Sequence, residues 1–161
     1  VDYGTGNLRS VVKAFEFLGS EVTILREPDL AYKMEALVFP GQGTFDQCME
    51  ALSSSGFDEL IKKWIREDRP YFGICLGLQV LFENSEEGTL PGLGVFHGEV
   101  RRFVLDPSFK IPHMGWNGVS WNLPDNEPIR KNLNDGDQFY FVHSYHVVHT
   151  EEGLKTFSTN Y

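Results

Sequence analysis

The five residues Gly73-Ile74-Cys75-Leu76-Gly77 decide the fold of this chain, because they set a cysteine between two glycines directly after the short apolar run Tyr71-Phe72. A nucleophile at a sharp turn from a strand into a helix has a strained backbone. Its flanking positions need glycine where neighbouring elements leave no room for a Cβ. The apolar run from Leu78 to Phe82 predicts a buried helix. The stretch therefore predicts a strand, a nucleophile elbow at Cys75 and a helix.

Two interpretations of Cys75 are open on this pattern. Cysteine is among the most frequently buried residue types, which would make Cys75 a core residue flanked by two unrelated glycines. A thiol in the first turn of a helix instead lies at the positive end of the helix dipole, which favours the reactive thiolate. The strand before the motif and the helix after it favour the second interpretation, a nucleophilic thiol.

Length and composition predict one globular domain. The 161 residues can bury a substantial core, and 41% hydrophobic with 14% aromatic residues are typical globular values. No segment approaches the ~18 consecutive apolar residues of a membrane span. The net charge of -9 argues against a nucleic-acid backbone as partner, because such a partner requires clustered Lys and Arg. We expect neither a nucleic acid nor a membrane as partner.

The cysteine content predicts the compartment. Two cysteines and no amino-terminal apolar segment of signal type are typical of a reducing compartment, so we expect a cytoplasmic protein in which Cys75 is a thiol. Both ends look cut, because Val1-Asp2-Tyr3 resembles the end of a strand and residues 157–161 form no final element. We expect a single domain over residues 1–161 that lacks the start of its first strand.

Strand and helix patterns alternate in the first half of the chain, which is typical of a parallel sheet with right-handed crossovers. Strands are predicted at residues 1–3, 21–25, 36–39 and before the elbow, and helices at 8–18, 29–34 and 57–65. The pattern then changes to an acidic, solvated connection at 83–94, an antiparallel strand at 98–104 and a strand at 139–147. We expect an α/β fold with an open, mostly parallel twisted sheet and an antiparallel portion in the C-terminal half.

Two glycine-containing loops follow predicted strands. Pro40-Gly41-Gln42-Gly43 is either an ordinary turn or a loop that offers backbone N–H groups to an oxyanion. Gly4-Thr5-Gly6-Asn7 partly matches a dinucleotide-binding fingerprint, but the third glycine would fall at Arg9. A turn that lets Asn7 cap the next helix is the favoured interpretation.

The segment Pro112-His113-Met114-Gly115-Trp116-Asn117 sets Met and Trp beside a glycine. Such residues suit either a folded aromatic corner of the core or an exposed partner surface, where Trp and Met are enriched. The residues alone favour the core.

Three histidines fall at intervals of three residues, at His143, His146 and His149. In one continuous strand His143 and His149 would face one way and His146 the other, so they would not converge on a metal. Cys48 lies on a predicted helix without a second cysteine nearby. We expect no metal site and no cofactor.

Four blocks of the sequence, in the right order and covering nearly the whole chain, resemble the class I (triad-type) glutamine amidotransferases. The blocks are Asp2-Tyr3-Gly4-x-Gly6-Asn7-Leu8-x-Ser10, Phe72-Gly73-Ile74-Cys75-Leu76-Gly77-x-Gln79, Pro112-His113-Met114-Gly115-Trp116-Asn117 and Tyr140-Phe141-Val142-His143-Ser144-Tyr145. The elbow block is common to the family. The other three favour its branch of glutaminase subunits of imidazole glycerol phosphate synthase.

The resemblance implies a flavodoxin-like fold and an enzymatic activity. Such subunits hydrolyse glutamine to glutamate and ammonia without a cofactor. They form a heterodimer with a separate (βα)8-barrel cyclase subunit, which receives the ammonia and forms imidazole glycerol phosphate in histidine biosynthesis.

The resemblance also implies residue roles. Cys75 would be the nucleophile that forms a glutamyl thioester, with backbone N–H groups of Gln42, Gly43 and Leu76 as the oxyanion hole. The other implied residues are Gly41, Gln79, Ser144 and Tyr145 for glutamine binding, and Asn7, Met114, Trp116 and Tyr140 for the cyclase interface. The Met-Trp segment is therefore expected at a partner surface rather than in the core.

The chain departs from the family pattern in two places. Gln42 stands where the family usually has an apolar residue. The family's catalytic histidine and glutamate, set two residues apart in a His-Pro-Glu motif, would lie beyond Tyr161, and neither is among the 161 residues.

Two alternatives stay open on the sequence. One is an amidotransferase subunit of anthranilate or aminodeoxychorismate synthesis. The other is a non-catalytic platform of the same fold that only binds a partner.

Overall fold

The structure, a computed structural model, describes residues 1–4, 7–124 and 127–161. The chain forms two compact units, the first comprising Val1–Arg101 with Val147–His149 and the second Arg102–His146 with Thr150–Tyr161. The single domain predicted from the sequence stays a prediction. The predicted turn before Asn7 includes Thr5 and Gly6, which lie outside the described residues.

The first unit alternates helices and strands. Its elements are α1 (Leu8–Phe17), a 3-10 helix (Pro28–Lys33), β1 (Leu37–Gly41), α2 (Phe45–Ser55), α3 (Phe57–Arg66), β2 (Tyr71–Cys75), α4 (Leu76–Gln79) and β3 (Asn84–Ser85). Strands β1 and β2 are parallel, with Cα pairs from Leu37 opposite Tyr71 to Gly41 opposite Cys75. The predicted α/β fold with parallel pairing is confirmed.

Helices α2 and α3 supply much of the core of this unit. A capping box between Thr44 and Gln47 begins α2, and Gly56, with φ of 74°, separates it from α3. The buried residues of the two helices are Phe45, Cys48, Met49 and Leu52 on α2, and Phe57, Ile61 and Trp64 on α3. The indole N–H of Trp64 donates to the Pro70 carbonyl at 2.8 Å. This bond holds the end of α3 against the residue that leads into β2.

The strands predicted at residues 1–3 and 21–25 are wrong. The Asp2 N–H donates to the Leu25 carbonyl at 2.8 Å, which joins the two segments, and the Val1 amino group donates to the carbonyl of Val38 in β1 at 2.7 Å. Among residues 21–25 only Leu25 is buried. Isolated hydrogen bonds do not form the continuous ladder of paired strands.

The helix after the elbow is shorter than predicted, because α4 ends at Gln79. The Val80 carbonyl accepts a hydrogen bond from the Leu93 N–H, and the Leu81 carbonyl accepts one from the Val95 N–H, both at 2.8 Å. The prediction that the segment after the elbow is buried is confirmed, since Val80 is 0% exposed. A neighbouring loop thus takes the carbonyls that a longer helix would use.

The sequence predicts a solvated connection at 83–94, but this segment contains the short strand β3 and the buried Leu93. Strand β3 pairs in parallel with β4 (Gly98–Arg102). The antiparallel pairing predicted for residues 98–104 is therefore wrong for the pair β3 and β4. The sheet has the order β3-β4-β7, and the first unit contains Val147–His149 of β7 (Tyr145–His149).

The second unit contains an antiparallel ladder between β5 (His113–Gly118) and β6 (Gln138–His143), and a 3-10 helix at Pro128–Arg130. The expected antiparallel portion in the C-terminal half is confirmed. Its core includes Trp121, which is 6% exposed and packs its ring edge-on against Phe139 and Phe157.

The strand predicted at 139–147 is interrupted at Ser144, between β6 and β7. The predicted opposite orientation of His143 and His146 is wrong, because both rings contact Phe103, with centroid distances of 5.0 and 4.9 Å. The break at Ser144 removes the continuous period of two on which that prediction depended.

Candidate active site

Cys75 lies at the junction of β2 and α4, where the chain turns sharply. Its backbone has φ of 56° and ψ of -115°, outside the regions that L-residues normally populate. Strain of this kind persists only where the surrounding structure enforces it, and it is concentrated at functional sites. The thiol is exposed. The elbow predicted from the sequence is therefore present, with its cysteine accessible to a substrate.

Three glycines allow this turn. A Cβ at Gly73 would overlap the Gly77 carbonyl, and a Cβ at Gly77 would overlap the Phe39 carbonyl. At Gly41 a Cβ would meet the Gly77 nitrogen at 2.5 Å and the Leu76 side chain at 2.6 Å. The predicted lack of room at both flanking positions is confirmed, and β1 supplies the third close approach.

Cys48 contrasts with Cys75. It lies on α2 with 0% exposure, and burial raises the pKa of its thiol to about 11, against an opposing hydrogen-bond contribution from Tyr3. A neutral, inaccessible thiol is a poor nucleophile. Cys48 is therefore a core residue.

The predicted oxyanion loop is adjacent to the elbow. Gly41 is the ladder partner of Cys75, so Gln42 and Gly43 continue from the same sheet edge as the thiol. The Leu76 N–H is in the first turn of α4, where amides have no partner within the helix. The Gln42 N–H, in contrast, donates to the Tyr3 hydroxyl at 2.8 Å. These residues lie together in the first unit, and their role as an oxyanion hole stays a prediction.

The residues predicted to bind glutamine lie in both units. Gln79, at the end of α4, is 9% exposed, and Gly41 is buried. In the second unit the Ser144 carbonyl accepts from the Phe103 N–H at 3.0 Å, and the Tyr145 carbonyl accepts from His143 Nδ1 at 2.8 Å. Their contact with glutamine stays a prediction.

The ladder of β5 and β6 presents one apolar face to solvent. Met114 is opposite Val142 and Trp116 is opposite Tyr140, and the four side chains are 56% to 70% exposed. The rings of Trp116 and Tyr140 meet edge-on with centroids 5.7 Å apart. The interpretation of the Met-Trp segment as part of the core is therefore wrong for Met114 and Trp116, whose side chains are exposed. We call these four residues the β5-β6 face.

Asn7, also predicted at the partner interface, begins α1. Its side-chain oxygen accepts a hydrogen bond from the Ser10 N–H at 3.4 Å, so the predicted helix cap is confirmed.

Sequence reasoning missed two tyrosines that contact this site. Tyr3 bonds to the Gln42 backbone, and the Tyr71 hydroxyl donates to the Gly77 carbonyl at 2.7 Å. Tyr3 belongs to a motif block, but nothing in the pattern indicates where its hydroxyl goes. Both contacts require the tertiary fold.

Within residues 1–4, 7–124 and 127–161, no three His, Cys, Asp or Glu side chains come together as ligands for a metal ion. In the same part of the chain, every helix is too short or too polar to cross a membrane.

The fold and the elbow define a class of protein, and comparison with known families agrees. The model of the family "Glutamine amidotransferase class-I" matches residues 1–161, and the chain belongs to this family. A solved structure described as a glutamine amidotransferase has the same fold, with a TM-score of 0.68, 20% identity, and coverage of 92% of this chain and 72% of that one.

The names of proteins with similar sequences are more specific than the family name. The protein named imidazole glycerol phosphate synthase subunit HisH of Synechococcus sp. (strain JA-3-3Ab) is 47% identical over 92% of this chain and 68% of its own. The proteins of the same name from Chromobacterium violaceum and Thermosynechococcus vestitus are 40% and 45% identical. The match to the Chromobacterium violaceum protein covers 100% of this chain and 78% of that protein. The match to the Thermosynechococcus vestitus protein covers 96% of this chain and 73% of that protein.

Proposed function

We propose that this protein is the glutaminase subunit of an imidazole glycerol phosphate synthase, which hydrolyses glutamine to glutamate and ammonia through Cys75. The observation that carries the proposal is the elbow: Cys75 is exposed at φ of 56°, at the amino-terminal end of a helix and opposite Gly41 in the ladder. The relatives favour this branch of the family over the anthranilate and aminodeoxychorismate subunits. The exposed, strained thiol favours an enzyme over a non-catalytic platform.

The reaction follows from a thiolate beside backbone N–H groups. The Cys75 sulfur attacks the side-chain amide carbon of glutamine, and the carbonyl oxygen becomes an oxyanion that the Leu76 N–H and the Gln42-Gly43 loop stabilise. The carbon–nitrogen bond then breaks, the nitrogen takes a proton and leaves as ammonia, and a glutamyl thioester remains. Water hydrolyses the thioester and regenerates the thiol with release of glutamate. The proton carrier would be the family's histidine, for which the resemblance gives no counterpart within residues 1–161.

Glutamine binding is assigned to four residues. Gln79 supports this role because it carries a side-chain amide at the carboxyl end of α4, one turn from Cys75. Gly41 supports it because its lack of a Cβ lets β1 pack directly against Leu76 and Gly77, which brings its backbone next to the elbow. Ser144 and Tyr145 are proposed to hold the amino-acid end of glutamine.

The proposed partner is the (βα)8-barrel cyclase subunit, which would receive the ammonia. The β5-β6 face supports this part of the proposal, because an exposed apolar cluster containing Trp and Met is typical of an interface core. Asn7 is assigned to the same interface, in addition to its capping role. We place the enzyme in the cytoplasm, which its two free thiols support.

Glutamate release tests the proposal. The complete protein encoded by the gene is assayed with its cyclase subunit and the cyclase substrate, beside the variants Cys75→Ala and Cys48→Ala. We expect Cys75→Ala to abolish glutamate release and Cys48→Ala to retain it. Turnover by Cys75→Ala within tenfold of the wild type would overturn the assignment of the nucleophile.

A further inference from the structure

The break between β6 and β7 is held by hydrogen bonds to two consecutive backbone carbonyls. The Ser144 carbonyl accepts from the Phe103 N–H at 3.0 Å, and the Tyr145 carbonyl accepts from His143 Nδ1 at 2.8 Å. Both distances are those of well-formed hydrogen bonds. The pair Ser144 and Tyr145, which we call the 144–145 turn, therefore has both of its carbonyls fixed by neighbouring groups.

The bond to the Tyr145 carbonyl also fixes the tautomer of His143. A carbonyl oxygen can only accept a hydrogen bond, so Nδ1 must carry the ring hydrogen. The other ring nitrogen, Nε2, is buried and has no hydrogen-bond partner among residues 1–4, 7–124 and 127–161. The imidazole thus directs its donor at the backbone of the 144–145 turn.

Aromatic rings restrict the imidazole of His143. Its centroid is 5.0 Å from that of Phe103, 5.4 Å from that of His113 and 5.6 Å from that of Phe141. His113 is also the ladder partner of His143 and is 3% exposed. Because these neighbours already restrict the ring, its hydrogen bond to the turn costs little additional side-chain entropy.

The 144–145 turn contains the two residues proposed to hold the amino-acid end of glutamine. It lies where the regular strand is interrupted, between β6 and β7. Binding groups on an unrestrained turn must be ordered when the ligand binds, and this ordering weakens affinity. A turn whose carbonyls are already fixed avoids that loss.

We infer that His143 is a positioning residue for glutamine binding, which fixes the Tyr145 carbonyl through its Nδ1–H and so orients Ser144 and Tyr145 toward the amino-acid end of the substrate. The inference rests on the proposed function. His143 acts through the backbone of the 144–145 turn and has no role in the chemistry at Cys75. Its hydrogen bond should therefore affect KM for glutamine rather than kcat.

Two variants of equal shape separate this hydrogen bond from the packing of the ring. Asparagine places an N–H donor close to the position of Nδ1, whereas leucine has the same branching and no donor. Both are assayed as complete proteins with the cyclase subunit and the cyclase substrate. One hydrogen bond corresponds to about a three- to tenfold effect, so we expect KM to be higher by that factor in His143→Leu than in His143→Asn, with similar kcat.

The control for packing is His146→Leu. It removes the imidazole that stacks on Phe103 with centroids 4.9 Å apart. This variant is expected to keep the KM of the wild type. A rise of KM in His146→Leu as large as that in His143→Leu would assign the effect to ring packing and overturn the inference.

The tautomer of His143 gives a readout that does not depend on activity. In the wild type, nitrogen NMR shifts at alkaline pH are expected to place the ring hydrogen on Nδ1. A ring hydrogen on Nε2 overturns the inference, even if the variants fail to fold. With an active wild type, equal KM values for His143→Leu and His143→Asn overturn it as well. A wild type that releases no glutamate in the presence of its cyclase instead overturns the proposed function.

Discussion

Gly77 lies directly against the main-chain carbonyl of Phe39, so closely that a Cβ added to Gly77 would overlap the carbonyl oxygen. Strand β1 therefore passes beside the turn that presents Cys75, with no side chain between them. The loop that follows β1 comes next to the thiol because of this close approach. The same glycine that permits the elbow also positions the second backbone segment of the site.

Replacement of Gly77 by alanine is expected to destabilise the protein. The obstructing atom is backbone rather than a flexible side chain, so the strand or the elbow must shift, at a cost of about 1 to 3 kcal/mol in the free energy of unfolding. Urea denaturation measures this loss. The control is Gly118→Ala, where the nearest atom to the new Cβ is the end of the Gln138 side chain at 3.2 Å. Equal stability of the two variants would contradict the close approach.

The two thiols are expected to react at very different rates with iodoacetamide. Cys75 is exposed, whereas Cys48 is buried and has its pKa raised to about 11 by that burial. At pH 8 only about one Cys48 thiol in a thousand is then ionised, and the fraction rises as the pH approaches 11. Peptide mass mapping after brief labelling would show modification at Cys75 first. In urea both cysteines should react, and preferential labelling of Cys48 in the folded protein would contradict the assignment.

The sequence predicts the parts of this site that depend on local backbone geometry. Glycines around Cys75 indicate the elbow, because the positive φ of Cys75 and the close approach of Gly73 to Gly77 lie within a few residues. The close approach of Gly77 to Phe39 instead depends on the tertiary fold. The early end of α4 could not be predicted, since the loop residue Leu93 takes the Val80 carbonyl. The bond between Tyr3 and Gln42 was missed for the same reason: it joins segments that only the fold brings together.

His113 is expected to make stability depend on pH. Its ring is 3% exposed and its centroid is 5.4 Å from that of His143, so burial lowers the pKa of His113 and the neighbouring imidazole lowers it further. The unfolded chain then binds the proton more readily than the folded protein. Stability should be fully present above pH ~6.5 and should fall as the pH drops from there toward the lower folded pKa. The free energy of unfolding of wild type and His113→Phe is measured against pH. Parallel curves would contradict the prediction.

Trp116→Ala is expected to weaken binding of the cyclase subunit without unfolding the protein. The Trp116 side chain is 70% exposed and contacts Tyr140 on the β5-β6 face, so its removal leaves no cavity in a core. Truncation of a central aromatic residue commonly costs about 2 kcal/mol or more in binding free energy, or roughly a thirtyfold increase in Kd. Calorimetric titration measures Kd, and circular dichroism monitors the fold. Val104→Ala, at a side chain that is 95% exposed, is the control for binding, and Trp121→Ala, at a buried indole hydrogen-bonded to the Asn134 carbonyl, is the control for unfolding. An unchanged Kd for Trp116→Ala would remove the β5-β6 face from the interface.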